Sequence, residues 1–206
     1  MKMKELVGTG MVEVYNHQTL WNNRQMQKVY DAFVDVWGTE KLWATIDRVN
    51  LNFPQRPGEE KEGFIHWDYD PETRPQNVQG VIALANQMNE STGEFQCIPW
   101  LYRNYDAWKL TQPEDRNRFQ PNNIDALQDK LVKVLMEAGD LLIFNSTEPH
   151  GIHPNRFRNN VRIAQYISMM PAEEGSLELK DWRVNSWKNR IAPKVMLFLV
   201  IQEIGS

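Results

Sequence analysis

His66 and Asp68 stand two residues apart in the stretch Phe64-Ile65-His66-Trp67-Asp68-Tyr69. On an extended strand that spacing aims both side chains to one side, because successive residues alternate faces. An imidazole and a carboxylate on one face supply two ligands of a three-point facial metal site. A histidine from a distant strand would complete it. Three protein ligands leave half of the coordination sphere open, an arrangement that suits non-haem Fe(II) oxygenases. The chain holds four histidines, so the third ligand has few sources. His17, in Val-Tyr-Asn-His-Gln, lies outside the strand-rich part and reads as a surface or packing residue. His150 and His153 both occupy Pro149-His150-Gly151-Ile152-His153-Pro154-Asn155, and on residue chemistry alone either one fits. The H-x-D pair by itself is a weak signal, since it arises often by chance.

Arg162 is the fourth residue with chemical content. It begins an alternating stretch in which Arg162, Ala164, Tyr166 and Ser168 share one face. A guanidinium carried into an interior needs an anionic partner, because an unpaired buried charge is costly. Two partners fit. One is an internal Asp or Glu. The other is a dicarboxylate cosubstrate gripped by the planar fork.

A strand-rich middle must position these groups. Residues 24–37 have helical spacing (Met26, Val29, Tyr30, Phe33, Val36, Trp37) closed by Gly38, and a second short helix is expected around 40–44. Residues 45–53 alternate and stop at Pro54, which predicts a strand. Further strands are expected at 64–69, 78–85, 95–98, 131–135, 140–145 and 161–169, with both distal histidines in a loop after the apolar 141–144. Residues 178–190 are helical in character. The pattern predicts a mainly β fold, a barrel-like double sheet with flanking helices. No repeat or linker divides it, so one domain is expected over 1–206: helical to about residue 44, strands over 45–171, then a helix and tail over 172–206.

Residues 99–130 form a polar and aromatic excursion containing Pro99, Pro113 and Pro121, with short helices expected at 105–109 and 124–130. Long excursions inside a domain are usually lids or binding loops. Trp100, Tyr102, Arg103, Tyr105 and Trp108 either cover a small substrate or pack the loop onto the barrel. Trp67, opposite the two ligands on its strand, reads as core.

Composition narrows the class. A chain of 206 residues buries about 70 % of its unfolded surface. A net charge of −4 offers no electrostatic reason for a nucleic-acid or anionic-membrane partner. The single cysteine, Cys97, excludes an intramolecular disulfide and fits a reducing cytosol, so a cytoplasmic protein is expected. The charged first ten residues lack the apolar core of a secretory signal. The apolar run 195–201 is too short to span a bilayer; it reads as an edge strand or a dimer contact, and a monomer or homodimer is expected.

The motifs occur in a specific order: Ile-Asp-Arg-Val-Asn (46–50), His-Trp-Asp (66–68), VQGVIALANQMNESTGEFQCIP (78–99), GDLLIFNSTEPHGIHPN (139–155) and VRIAQYISM (161–169). This ordered set, covering roughly 45–171, resembles the phytanoyl-CoA dioxygenase family of Fe(II)/2-oxoglutarate-dependent oxygenases. The resemblance implies a double-stranded β-helix (jelly-roll, cupin-like) fold. It implies Fe(II) held by His66, Asp68 and His150, the family's distal histidine being the one followed by Gly. It implies that Arg162 pairs with the far carboxylate of 2-oxoglutarate, that Asn50 makes a polar cosubstrate contact and that Ile82 lines the cosubstrate pocket. The reaction implied is O2-dependent oxidation of a small-molecule C–H bond with release of succinate and CO2. Asp68 favours hydroxylation over halogenation, because halogenating relatives replace this carboxylate by a small residue. Two departures stand out: Pro99-Trp100-Leu101-Tyr102 replaces a Gly-Ser-His segment, and Ala164 stands where many relatives have Ser. Nothing marks a CoA site. The competing readings are a cupin-like metal protein with non-oxygenase chemistry and a catalytically silent relative.

Overall fold

Alternating apolar residues in the strands and a helical stripe in the N-terminal third build a sheet pair with a helix on its back. The computed structural model describes residues 10–58, 62–74, 77–89, 91–157 and 159–192. In chain order the elements begin with β1 (Met11–Val12), α1 (Gln18–Arg24), α2 (Gln27–Trp37), β2 (Leu42–Ala44), β3 (Val49–Asn52) and β4 (Val78–Ala83). Next come β5 (Phe95–Cys97), α3 (Pro99–Arg103), α4 (Tyr105–Lys109), a 3₁₀ helix (Ile124–Lys130), β6 (Val132–Val134) and β7 (Leu141–Asn145). The series closes with β8 (His150–Ile152), β9 (Arg162–Tyr166), β10 (Met169–Pro171) and α5 (Leu177–Asn189).

The larger sheet has the spatial order β1-β3-β9-β4-β7, every pair antiparallel. A three-stranded antiparallel sheet, β6-β5-β8, faces it. Phe95 of β5 and Phe144 of β7 meet between them, ring centroids 4.8 Å apart. This is the double-stranded β-helix with flanking helices that the resemblance implies. Helix α2 lies on the outer face of the larger sheet, where Val29 and Phe33 pack with Ile82, Ile167 and Met169. It ends at Gly38, whose left-handed φ of 65° suits a residue without Cβ. A second apolar cluster joins Ile65 and Trp67 to Ile98, Leu101, Tyr105, Trp108 and Leu127, so the excursion packs on the side of the 65–67 segment away from His66.

Ion pairs fasten that excursion to the turn that follows Asp68. Asp70 meets Arg118 at 3.0 Å, Glu72 meets Arg116 at 2.7 Å and Lys109 at 2.8 Å, and Arg74 meets Asp106 at 2.5 Å.

Several elements differ from expectation, mostly because a distant partner decides them. Residues 42–44 form a strand and not a helix, because they pair with Met169–Pro171. The N-terminal part therefore contributes β1 and β2 as well as helices. The helix expected over 24–37 is broken at Gln25–Met26, and the buried Arg24 guanidinium donates to the carbonyls of Tyr15 and Asp47 at 3.0 and 2.7 Å. Residues 99–103, expected to be irregular, form α3. His150 lies in strand β8 and not in a loop. The strand expected over 161–169 divides into β9 and β10. Residues 64–69, expected as a strand, do not form one: His66 alone makes a β-bridge, Trp67 N donates to the Phe119 carbonyl at 2.9 Å, and residues 68–69 bend away. The apolar run 195–201 lies outside the described residues. Among the described residues, no helix is long and apolar enough to cross a membrane.

Candidate metal centre

Backbone pairing brings the two histidines together. His66 and His150 form an isolated antiparallel bridge, His66 N donating to His150 O at 2.8 Å and His150 N to His66 O at 3.0 Å. Their ring centroids are 4.6 Å apart. Glycine next to His150 permits this approach: a Cβ on Gly151 would fall 1.8 Å from the carbonyl oxygen of Phe64. Two residues beyond His66, the Asp68 carboxylate enters the same space. Its Oδ1 lies 3.3 Å from His66 Nε2 and its Oδ2 3.5 Å from His150 Nε2. One ligand atom from each of the three residues lies within 4.8 Å of the others.

Surrounding groups fix His150 and Asp68. His150 Nδ1 lies 2.9 Å from the carbonyl of Glu148; donation there leaves the Nε2 lone pair for a metal. Phe95 stacks on the same ring at 5.5 Å, and Phe144 meets it at 4.6 Å. Gln79 Nε2 donates to Asp68 Oδ2 at 2.6 Å. Burial alone would raise the Asp68 carboxyl. The hydrogen bond from His66, the charges of His150 and His66 and the Gln79 amide outweigh it and hold the group at about 2. Burial drives the His150 imidazole down to about 4, against the Asp68 charge and with the help of His66. At neutral pH the carboxylate is therefore ionised and the His150 imidazole neutral, the states that bind a metal.

In front of these ligands is a cavity of about 270 Å³. Asn50 and Tyr166 line it from the larger sheet, Arg48 from the segment that leads into β3, and Phe95 and Ile152 from the facing sheet. Asn50 separates it from Arg162, which is wholly buried. Arg162 Nη1 donates to Asn50 Oδ1 at 2.6 Å and Nε to Gln87 Oε1 at 3.1 Å. Its Nη2 is buried without a hydrogen-bond partner. Burial pushes this guanidinium below its ordinary pKa, with Tyr166 and Glu94 opposing. Its hydrogen-bond partners are two amides and the Tyr166 phenol, so the internal carboxylate that the sequence allows for does not hold it.

The residues singled out by sequence divide clearly. His66, Asp68 and His150 come together, with Asn50 on the same cavity and Arg162 directly behind it. Ile82 does not join them. Strand β4 points Gln79 at Asp68, so residue 82, of opposite parity, turns outward to Val29 and Phe33. The expected place of Ile82 on the cosubstrate pocket is corrected accordingly. His17 caps α1, its Nδ1 accepting from Thr19 N, and His153 Nδ1 faces Glu94 at 3.4 Å. Trp67 is core, as are Tyr105 and Trp108; Tyr102, Arg103 and the Tyr105 edge line a second cavity of about 320 Å³ with Asn145 and Thr147. Sequence reasoning missed Gln79, Gln87 and Arg48. A signal existed for Gln79: a lone amide inside an apolar strand must find a partner.

Comparison with known proteins bears on the family and the fold. Over 189 residues the chain is 25 % identical to Ava biosynthesis cluster protein O of Aspergillus versicolor, covering 82 % of this chain and 60 % of that protein. The chain thus spans about three fifths of that relative's length. The crystal structure of GlcNAc-inducible GIG2 from Candida albicans superposes with a TM-score of 0.66 at 11 % identity, over 91 % of this chain and 59 % of that one. HygX from Streptomyces hygroscopicus, with nickel, 2-oxoglutarate and hygromycin B bound, gives 0.55 at 12 % identity over 82 % and 74 %. At such identities these two likenesses show the fold. The sequence profile of the phytanoyl-CoA dioxygenase (PhyH) family matches residues 13–160, and the chain belongs to that family.

Proposed function

We propose that the protein is a non-haem Fe(II)- and 2-oxoglutarate-dependent oxygenase that oxidises a C–H bond of a small molecule, with hydroxylation as the outcome. The observation that carries this reading is a one-sided His-Asp-His set opening on a cavity backed by a buried guanidinium with a spare N–H. His66, Asp68 and His150 would hold the iron. Arg162 would hold the distal carboxylate of 2-oxoglutarate, with Asn50 as a further polar contact. Iron and cosubstrate, when bound, supply the oxidising power drawn from O2, with succinate and CO2 released.

The chain's own residues do the rest. Gln79 donates to Asp68 Oδ2 and so orients the carboxylate between the two imidazoles. The Glu148 carbonyl fixes the ring of His150, and Phe95 and Phe144 pack against it. Asn50 and Tyr166 give the cavity polar groups at the Arg162 end, whereas Phe64 and Ile152 give it apolar walls. A small-molecule substrate suits the cavity's size, and HygX offers a precedent in its bound hygromycin B.

The direct test is succinate formation from 2-oxoglutarate by Fe(II)-loaded protein on exposure to air. Turnover is expected in the wild type and not in Asp68→Ala. Equal turnover by both would overturn the ligand assignment. A metal protein of the same shape with other chemistry would leave 2-oxoglutarate intact.

A further inference from the structure

Two side chains behind the cavity, joined by a hydrogen bond, each keep a buried donor without a partner. Arg162 and Gln87 are both fully buried. Arg162 Nε donates to Gln87 Oε1 at 3.1 Å. This contact fixes which way the amide points, because a guanidinium only donates and cannot face an NH₂ group. The Gln87 Nε2 therefore lies on the far side of the amide carbon, and it has no hydrogen-bond partner. Neither has Arg162 Nη2, which shares a carbon with the Nε that holds the amide. Native proteins leave few such groups unsatisfied, since each costs the desolvation of a polar atom. The backbone holds Gln87 in place through reciprocal bonds with Met136, at 2.7 and 3.2 Å.

The Tyr166 phenol hydrogen-bonds the guanidinium yet leaves Nη2 without a partner, and the other groups nearby do not meet this need. Ala164, two residues along β9 from Arg162 and equally buried, brings no polar atom. Glu94 lies near enough for its charge to act on Arg162, but its oxygens accept from Ser91 N at 3.1 and 3.0 Å and lie near His153 and Lys133. Two such N–H donors on a hydrogen-bonded pair of side chains, one of them cationic, suit the two oxygens of a carboxylate.

We infer that Gln87 is a second cosubstrate-binding residue: its Nε2 donates to the distal carboxylate that Arg162 also takes, while its Oε1 steadies the guanidinium. This rests on the reading that Arg162 faces 2-oxoglutarate. It makes selectivity for 2-oxo acids with a distal carboxylate the property of an Arg–Gln pair, with the amide in the place of the hydroxyl that Ala164 lacks.

The test is anaerobic calorimetry of Fe(II)-loaded protein with 2-oxoglutarate and with 2-oxopentanoate, the same chain length without the distal carboxylate. Gln87→Leu is expected to weaken 2-oxoglutarate about tenfold to a hundredfold and to leave 2-oxopentanoate unchanged. The same factor is expected in an Arg162→Lys background, since a direct donor acts whatever cation stands beside it. Loss of the factor in that background would show that Gln87 only positions the guanidinium, and would overturn the inference. Gln87→Glu is a closer match in shape: it keeps the acceptor for Arg162 but replaces the donor with an anion, so 2-oxoglutarate binding should be abolished. Unchanged 2-oxoglutarate affinity in either variant, in a protein whose wild type prefers 2-oxoglutarate to 2-oxopentanoate, would overturn the inference alone. A wild type without that preference would overturn the Arg162 reading and this inference with it.

Discussion

Replacing Gly151 with Ala should damage both the fold and the metal centre through one steric contact. The added Cβ would meet the Phe64 carbonyl oxygen at 1.8 Å and its carbon at 3.0 Å, and ordinary contact begins near 3.4 Å. The 64–66 segment must therefore retreat by about 1.6 Å. That segment carries His66, whose two backbone bonds to His150 are 2.8 and 3.0 Å long. A retreat of that size takes both beyond hydrogen-bonding range. Overpacking costs about 1–3 kcal/mol and two net hydrogen bonds about 1 kcal/mol each, for a loss on the order of 3–5 kcal/mol. Urea unfolding measures it, with Gly175→Ala as control, since a Cβ there meets no atom within 4 Å. The control should stay within about 0.5 kcal/mol of wild type. Metal affinity should fall with stability, because the two imidazoles are pulled apart. A Gly151→Ala protein with the wild-type urea midpoint and metal affinity would refute the reasoning.

Three further outcomes follow from the same geometry. Gln79→Leu removes the 2.6 Å bond to Asp68 and should weaken metal binding about 10- to 100-fold in a chelator competition; an unchanged constant would mean that Asp68 needs no such support. Ile82→Ala should cost about 2–5 kcal/mol in urea unfolding and leave 2-oxoglutarate affinity alone; the opposite pattern would return Ile82 to the cavity wall. Burial, with the charge of Glu148, pushes the Cys97 thiol from 9.0 up to about 12. The native protein should therefore resist thiol reagents at pH 8 that label the unfolded chain. The raised value also sets the sign of a pH effect: the thiol's contribution to stability is complete below pH 9 and lost as pH rises through 12. Rapid labelling of native protein would contradict this.

Alternation was the most readable signal in the sequence. It places Arg162 and Ala164 inside, both fully buried, and sends Trp67 to the core on the opposite side from His66 and Asp68. Applied to β4 it also puts Gln79 and Ile82 on opposite faces, which the position borrowed from the family resemblance overlooked for Ile82. Non-local pairing was unreadable. Leu42–Ala44 looks helical in isolation and becomes a strand only because Met169–Pro171 lies beside it. The choice between His150 and His153 depended in the same way on register. Gly151 and the bridge to His66 put His150 at the centre, whereas His153 N turns to the Glu94 carbonyl. Neither Gln87 nor Arg48 carries a motif. Their roles follow from which atoms remain unpaired and which surfaces line the cavity once the sheets are closed.

The central claim is that His66, Asp68 and His150 hold iron within reach of a 2-oxoglutarate anchored at Arg162. An anaerobic absorbance titration tests it most directly, by following the metal-to-ligand charge-transfer band that forms when 2-oxoglutarate chelates protein-bound Fe(II). The band should appear only with both components present. It should be absent in Asp68→Ala, and in Arg162→Ala it should need far more 2-oxoglutarate while Fe(II) is still retained. A wild-type protein that binds Fe(II) and 2-oxoglutarate yet gives no band, or an Asp68→Ala protein that gives the same band, would contradict the account.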